Sequence, residues 1–352
     1  MMILINGNFL CRNLTGIERF AWETCRQLDL IVSKEDNIAL YAPANAKSVP
    51  EYKNIKIIVS KKSIKSFPFW DMGTFSLACK KLKATGLNFS NTAPLGKNCG
   101  ISFIHDIYAK DFPQDFKTFK DKLIRLYCRL SYWNIAKNAK KIITVSQFSK
   151  ERILKAYKVS PQIIEIIPNG WDHFKSIEPD NSIFEKFPKL EKGGFYFTLG
   201  SLSKRKNLKW IASYAKKNPE EKFAVSGKAI SGLVPKELED LQSLPNVTLL
   251  GYVTDGHVKS LMENCKAFVF PSYYEGFGIP PLEALSCKAK IIISKSASLP
   301  EIYGNSAHYI EWNNTDCNLN ELLKEKTESP EPILEKYTYK NSAEILKKII
   351  KN

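Results

Sequence analysis

The sequence predicts an α/β protein made of two domains, each built around a parallel sheet. Its 352 residues exceed what one hydrophobic core usually serves and suit two domains of roughly 170 residues each. Short β-branched apolar runs alternate with segments of helical period along almost the whole chain, which is typical of strands joined by crossover helices. Hydrophobic residues make up 44% and charged residues 25% of the chain, which excludes a wholly disordered protein.

Six strands are predicted in the first half of the chain. The segment Gly16–Ile31 that follows the first of them has its apolar residues on one helical face. The strands are Ile3–Asn6, Ile38–Tyr41, Ile55–Val59, Ile101–His105, Ile142–Val145 and Ile163–Ile167.

A second alternating set begins near residue 195, with helices near residues 208–217, 255–264 and 281–287. Its strands are Phe195–Leu199, Phe223–Ser226, Val247–Leu250, Ala267–Phe270 and Ile291–Ser294. The stretch Trp171–Gly194 is rich in Pro, Gly and polar residues, so we place the domain boundary there and predict domains at 1–174 and 175–352. The C-terminal helical pattern is a candidate for packing back on the first domain. Ligands are expected outside the carboxyl ends of the strands.

The most specific motif runs from Phe270 to Glu283. An apolar strand ends at Phe270, and a Gly- and Pro-rich loop carries Glu275 to a helix whose first turn suits Pro281. Backbone amides at such a helix start attract a phosphate or a sugar oxygen. An ordinary joint with a capping glutamate is the simpler alternative, but two Glu with seven residues between them, and Gly276 and Gly278 inside, form a specific pattern.

This pattern resembles the family 4 retaining glycosyltransferases of GT-B fold. The resemblance implies two facing Rossmann-like domains with a cleft between them, the first binding an acceptor and the second a nucleotide-sugar. It implies that Glu275 and the backbone of the loop hold the donor sugar, and that Glu283 holds the nucleotide ribose. The loop residues concerned are Gly276, Phe277, Gly278 and Ile279.

A basic turn follows the first strand of the second domain. Gly200 precedes three cations, Lys204, Arg205 and Lys206, a composition that suits a diphosphate leaving group as well as a solvated turn. The resemblance implies a catalytic cationic pair here, best matched by Arg205 and Lys206. Because Ser201 stands where many members carry Arg, the sequence leaves open which two cations form the pair.

Two positions in the first domain are candidates for the same site. Gly16 opens the first helix, where backbone amides can approach an anion, although a simple turn would use the same residue. His105 follows a strand, where a structural histidine is also common. The resemblance implies that Gly16 faces the donor phosphates and that His105, the first choice for a catalytic residue in this domain, contacts the donor sugar.

The nucleobase is expected against Gly227, Tyr252 and Val253, which occupy the places where relatives hold it. No Asp-x-Asp occurs in the sequence, so a divalent metal is not required and cationic side chains can supply the charge. We therefore predict no metal ligands and no cofactor, with a GDP-, dTDP- or UDP-linked sugar as co-substrate.

The positive charge is concentrated in the first half of the chain. Residues 1–174 carry 27 Lys and Arg against 14 Asp and Glu, whereas the remainder carries 25 against 22. Such a field predicts an anionic partner. Cations alternate with apolar residues over Lys117–Lys141, and Lys61–Lys65 precedes Phe67, Phe69 and Trp70. Either a solvated basic face or an anionic membrane surface would use these segments.

The resemblance implies a metal-independent enzyme that transfers a hexose to a lipid-diphosphate-linked glycan in surface-polysaccharide synthesis, such as that of O-antigen or capsule. The protein is expected in the cytoplasm, peripheral on the inner face of the membrane. Asn6–Leu10 and Thr15–Arg19 resemble mannosyl- and rhamnosyltransferases. The alternatives are a basic nucleic-acid-binding protein, for which no recognised motif is present, and a silent GT-B partner subunit, which would not need Glu275 and Glu283.

Overall fold

The computed structural model describes residues 1–14, 16–200, 203–227 and 236–351. The chain divides into two compact units, which we call unit 1 and unit 2. Unit 1 is Met1–Gly170 with the C-terminal segment from Tyr337, and unit 2 is Trp171–Lys336. Unit 1 contains a seven-stranded sheet and unit 2 a six-stranded sheet, with every pairing parallel. The predicted α/β architecture with two parallel sheets is confirmed.

The sheet of unit 1 has the order β3-β2-β1-β4-β5-β6-β7. Its strands are β1 Met2–Asn6, β2 Ile38–Ala42, β3 Lys56–Val59, β4 Ala84–Asn88, β5 Ile101–Phe103, β6 Lys141–Thr144 and β7 Ile164–Ile166. The central strand β4 was not predicted, because its sequence has no apolar run. A Cβ on Gly86 in β4 would lie 3.2 Å from the Phe75 ring, so close packing explains why this position is glycine. The same glycine weakens the strand pattern in the sequence.

Helices cover both faces of this sheet. They are α1 Gly16–Ile31, α2 Phe67–Phe69, α3 Ser76–Lys81, α4 Tyr108–Asp111, α5 Phe119–Asn138 and α6 Gln147–Tyr157. Right-handed crossovers that run in opposite directions along a sheet lie on opposite faces. The α1 connection runs from β1 toward β3, whereas the connections containing α3, α5 and α6 run toward β7, so α1 covers one face and the others cover the second.

The sheet of unit 2 has the order β10-β9-β8-β11-β12-β13. Its strands are β8 Phe195–Leu199, β9 Lys222–Ser226, β10 Val247–Gly251, β11 Ala267–Phe270, β12 Ile291–Ser294 and β13 His308–Ile310. Its helices are α7 Ser182–Lys186, α8 Leu208–Lys217, α9 Lys236–Gln242, α10 Asp255–Asn264, α11 Ile279–Ser286, α12 Leu299–Tyr303, α13 Leu319–Leu322 and α14 Glu331–Lys336. The five predicted strands are present, and the short edge strand β13 was missed.

The last helix, α15 Tyr339–Lys351, packs against α1 and so belongs to unit 1. Its buried side chains join the core that α1 forms on the sheet. The Ser342 hydroxyl donates to the Pro168 carbonyl at 2.6 Å, and Lys351 lies 2.7 Å from the Asp36 carboxylate. The chain therefore returns to its first unit at the end.

The boundary between the units lies four residues before the predicted one. The sequence divided the chain after residue 174 and offered the C-terminal helix as packing back on the first domain; the structure divides the chain after Gly170 and places the segment from Tyr337 in unit 1. The Lys259 ammonium on α10 donates to the carbonyls of Phe174 at 3.3 Å and Ile177 at 2.6 Å. A Pro- and Gly-rich composition does not distinguish a free linker from a segment whose carbonyls are bound in this way.

Candidate active site

The loops at the carboxyl edge of the unit 2 sheet are tied to one another. The Gly200 amide donates to the Ser226 carbonyl at 3.1 Å, and the Gly227 amide donates to the Gly251 carbonyl at 3.1 Å. Gly200 and Gly227 are thus tied to the ends of neighbouring strands, and Tyr252 and Val253 directly follow β10 at the same edge. Three neighbours in the motifs, Thr15, Ser201 and Lys228, lie outside the described residues.

Glu275 forms the centre of this site, and two of the three candidate cations contact it. The Lys206 ammonium donates to Glu275 Oε1 at 2.7 Å, and an Arg205 guanidinium nitrogen lies 4.0 Å from Oε2. Lys206 Nζ also lies 4.6 Å from the centre of the Phe270 ring. A Cβ on Gly200 would lie 3.3 Å from the Lys206 side chain, so this glycine leaves room for the cation. Arg205 and Lys206 are thus the two cations that the structure places on Glu275.

The Glu275 carboxylate is ionised although only 5% of the residue is exposed. Burial raises the pKa of Glu275, but the charges of Lys206 and Arg205 outweigh burial and bring the pKa below its ordinary value. A buried carboxylate with cations on both oxygens can orient sugar hydroxyl groups, and the same cations can neutralise a phosphate.

Hydroxyl groups from the β12–α12 region hold the loop that carries Glu275. Ser298 Oγ, which is fully buried, lies 3.0 Å from the carbonyl oxygen of Glu275 and 3.1 Å from that of Phe277. Because a trans peptide directs its N–H opposite its C=O, the amides of Gly276 and Gly278 point away from Ser298. Three further hydroxyls donate to the carbonyls of the same loop, from Ser294 to Ser272, from Ser296 to Tyr273 and from Tyr303 to Gly278.

Gly278 turns the loop into helix α11. Its φ of +90° lies in the left-handed region, and a Cβ there would lie 2.6 Å from Leu299 Cδ2. The helix begins at Ile279, two residues before the predicted start, and Pro281 lies in its first turn. The loop therefore ends at the positive end of a helix, beside Glu275.

Glu283 lies on α11 and contacts a residue that the sequence analysis missed. It is 7% exposed, and its Oε1 lies 3.1 Å from His173 Nε2. His173 is 5% exposed and belongs to the 3-10 helix Asp172–Ser176. The predicted boundary assigned His173 to the other domain, and no spacing pattern connects it to Glu283.

His105 lies in unit 1, two residues after β5 ends at Phe103. Its Nε2 lies 2.7 Å from the Phe89 carbonyl, which can only accept, so Nε2 carries the proton and Nδ1 keeps a lone pair. Burial lowers the pKa of His105 below its ordinary value. The ring is therefore neutral and can accept a hydrogen bond from a ligand hydroxyl.

The other predicted residue of unit 1 is Gly16, which opens helix α1 as expected. Glu18, in the first turn, is 5% exposed and lies 3.7 Å from an Arg12 guanidinium nitrogen. The helix start is thus accompanied by an ion pair between a buried glutamate and a partly exposed arginine, which the motif alone did not indicate.

A buried polar network at the end of β1 involves a second residue that the sequence analysis missed, Asp71. Its carboxylate accepts from Asn6 Nδ2 at 2.8 Å, Asn8 Nδ2 at 3.1 Å and Thr92 Oγ1 at 2.8 Å. Between the two asparagines, a Cβ on Gly7 would lie 2.6 Å from the Tyr41 carbonyl oxygen. The asparagines of the opening motif therefore have a structural partner. Among the described residues, no group of three or more His, Cys, Asp or Glu side chains is arranged to hold a metal ion.

The fold and the site together define the GT-B class. The solved structure of sucrose-phosphate synthase from Thermosynechococcus elongatus superposes with a TM-score of 0.74 at 13% identity, over 100% of this chain and 98% of that one. WaaG, a glycosyltransferase involved in lipopolysaccharide biosynthesis, gives a TM-score of 0.67 at 15% identity over 99% of both chains. The family model Glycosyltransferase Family 4 matches residues 14–173, and the model Glycosyl transferases group 1 matches residues 179–344. The chain belongs to the family 4 glycosyltransferases.

Two curated relatives, both named as O-antigen mannosyltransferases, are each less than 30% identical to this chain. An O-antigen chain mannosyltransferase of Salmonella typhimurium is 27% identical over 247 residues, which are 66% of this chain and 64% of the relative. O-antigen chain mannosyltransferase B of Escherichia coli is 28% identical over 229 residues, which are 62% of this chain and 58% of the relative. The alignments thus span less than two thirds of these relatives.

Proposed function

We propose that this protein is a retaining hexosyltransferase that moves mannose or rhamnose from a GDP-, dTDP- or UDP-linked donor to a lipid-diphosphate-linked glycan in O-antigen or capsule synthesis. The observation that carries the proposal is the buried Glu275 carboxylate with Arg205 and Lys206 on its two oxygens. The names of the relatives support the choice of pathway, and mannose is the sugar in the names of two of them.

In the proposed reaction, the acceptor hydroxyl oxygen bonds to the anomeric carbon and the bond from that carbon to the diphosphate breaks. The acceptor proton passes to the departing phosphate oxygen on the same face of the sugar. Arg205 and Lys206 neutralise the charge that develops on the diphosphate, so no divalent metal is required. Glu275 orients the sugar, His105 accepts from a sugar hydroxyl, and Glu283 accepts from the ribose hydroxyls.

Thermal unfolding with a panel of GDP-, UDP- and dTDP-sugars tests the donor site. We expect one nucleotide to stabilise the protein, by about 2.7 kcal/mol at one hundred times its dissociation constant. Glu283→Ala should abolish this shift because the ribose loses its acceptor. Glu220→Ala, an exposed position of unit 2, should keep it. A wild-type protein that none of the nucleotides stabilises would contradict the donor-site assignment.

We also propose that unit 1 docks on an anionic membrane surface, where a lipid-linked acceptor would be held. The face of its sheet that carries α3 and α5 exposes many apolar side chains, and we call this surface the basic apolar face. Its apolar members are Phe69, Met72, Leu77, Leu82, Leu95, Phe119, Leu123, Ile124, Leu126, Leu130 and Trp133. In the described ranges, no helix is both long enough and apolar enough to cross a bilayer.

The two halves of this face are joined by the 3-10 helix Gly96–Cys99. The Asn98 side chain donates to Ser76 Oγ on α3 at 3.0 Å, and the Gly96 amide donates to Asn134 Oδ1 on α5 at 2.9 Å. These bonds connect α3 and α5, which are far apart in the sequence, and they support one continuous surface. Trp70, which the sequence offered as an aromatic anchor, is buried and does not contribute to it.

The charge of this face favours a bilayer over other partners. Residues 61–141 carry 16 Lys and Arg against five Asp, of which Asp71 is fully buried and Asp111 is bound to Arg152 at 2.7 Å. A second copy of the chain would meet like charge, and nucleic acid would leave the apolar side chains uncovered. Anionic headgroups match the cations, and the acyl boundary matches the apolar side chains.

Cosedimentation with phosphatidylglycerol vesicles at low salt tests this docking. We expect the wild type to bind, and Leu126→Gln/Leu130→Gln to bind about tenfold more weakly, because two half-exposed leucines no longer enter the interface. Leu30→Gln is the matched control, since Leu30 is 63% exposed but lies on α1, on the other face of the sheet. Equal loss in both variants, or a wild type that ignores anionic vesicles, would show that the basic apolar face does not dock.

A further inference from the structure

The contact between His173 and Glu283 gives this chain a feature beyond the motif residues. We infer that His173 is a positioning residue, which sets the orientation of the Glu283 carboxylate and so the affinity for the nucleotide. The inference rests on the proposed function, because it takes Glu283 to be the acceptor for the ribose hydroxyls.

The pair is secluded from solvent. His173 and Glu283 have side chains that are 3% and 10% exposed, and Nε2 lies 3.1 Å from Oε1. A glutamate side chain has three rotatable bonds, and because this one is only 10% exposed its orientation depends mainly on the protein groups around it. Because the imidazole lies against Oε1, it limits the rotation of the carboxylate and leaves the second oxygen as the one that can receive a hydroxyl.

The imidazole is itself held by a well-anchored backbone. The Ser176 hydroxyl donates to the His173 carbonyl at 3.2 Å, and Lys259 binds the carbonyls of Phe174 and Ile177. Just before it, the Trp171 indole donates to the Leu334 carbonyl at 2.8 Å. The 3-10 helix Asp172–Ser176, which carries His173, begins at the second residue of unit 2. The support for Glu283 therefore comes from the first turn of that unit.

This arrangement predicts a loss of binding rather than a loss of chemistry. Without the imidazole, the buried carboxylate loses a polar contact and gains rotational freedom, and both effects oppose ribose binding. The bond that breaks in the reaction lies at the other end of the nucleoside diphosphate. The Kd of the nucleotide and the KM of the donor should therefore rise, while kcat changes little.

The experiment compares His173→Leu with His173→Gln in the full chain, with the nucleoside diphosphate of the stabilising donor as the probe. We expect His173→Leu to raise Kd and KM about tenfold or more with kcat within about twofold, and His173→Gln to recover most of the affinity because its amide reaches Glu283. His308→Leu is the matched control, since His308 is a buried histidine on β13 of the same unit. It should leave Kd unchanged. If His173→Leu does not fold, His173→Asn, which is too short to reach the carboxylate, replaces it.

A double-mutant cycle with Glu283→Gln separates the proposed donor site from the proposed positioning role of His173. If Glu283→Gln alone leaves nucleotide affinity unchanged, the proposed donor site is wrong. If Glu283→Gln weakens binding, the positioning role requires that His173→Leu add little further loss in that background. Fully additive losses, a fall in kcat without a change in KM, or no effect of His173→Leu would overturn the inference and leave the donor site intact.

Discussion

Replacing Lys206 by methionine is expected to lower kcat about 10²- to 10³-fold and to destabilise unit 2 by about 3 kcal/mol. The catalytic loss arises because the proposed leaving group keeps only Arg205 of the two cations that neutralise the diphosphate. The loss of stability arises because Glu275, which is 5% exposed, keeps its charge without its 2.7 Å partner. Steady-state kinetics with the donor and thermal unfolding of the same preparation measure the two effects.

Two controls accompany this variant. Lys209→Met removes an exposed cation three residues along the chain and should change neither quantity by more than a small factor. The pair stabilises the fold fully above about pH 4.3, the pKa of a free glutamate. This contribution is lost as the pH falls through the lowered pKa of Glu275 in the folded protein. The wild-type advantage over Lys206→Met should therefore shrink in acid. An active, equally stable Lys206→Met protein would refute the role of the pair.

Replacing Gly278 by alanine is expected to cost about 3 kcal/mol of stability and to abolish donor binding. A non-glycine residue at a φ of +90° is strained, and the added Cβ would lie 2.6 Å from Leu299 Cδ2. Either the loop or the Leu299 side chain must move, and the loop carries Glu275 and its neighbouring amides. Thermal unfolding gives the stability change, and the nucleotide-induced shift reports the site.

Gly193→Ala separates the effect of backbone strain at a positive φ from the effect of the contact with Leu299. Gly193 has a φ of +76° in the same unit, but a Cβ there would meet nothing within 4 Å. Gly193→Ala should lower the free energy of unfolding by only about 1 kcal/mol and leave donor binding intact. Adding Leu299→Ala to Gly278→Ala should restore part of the donor binding by making room. Equal losses in the Gly193 and Gly278 variants would mean that the contact with Leu299 is unimportant.

Much of the fold could be predicted because buried parallel strands are short apolar runs. The six strands predicted in the first half and the five in the second are all present, with ends displaced by no more than two residues. The strand β4 was missed because Gly86 and its polar neighbours interrupt the apolar pattern. Its burial depends on the side chain of Phe75, which approaches from a π-helical segment that the local sequence did not predict.

The segment at the domain boundary shows what residue composition leaves out. The stretch after Gly170 is polar and contains prolines and glycines, so its sequence is typical of a linker. Lys259, more than eighty residues later, binds its carbonyls. That contact gives the stretch a fixed place in unit 2.

The sequence by itself determined the α/β class, the parallel sheets and the motif from Phe270 to Glu283, because strand periodicity and the spacing of Glu275 and Glu283 are local properties. Only the tertiary structure decided which cations lie on Glu275, which hydroxyls hold its loop, and that His173 contacts Glu283. These are contacts between side chains on separate elements, and their partners are chosen by how the strands and helices pack. Sequence spacing carries no information about that packing, so such contacts can be read only from the folded chain.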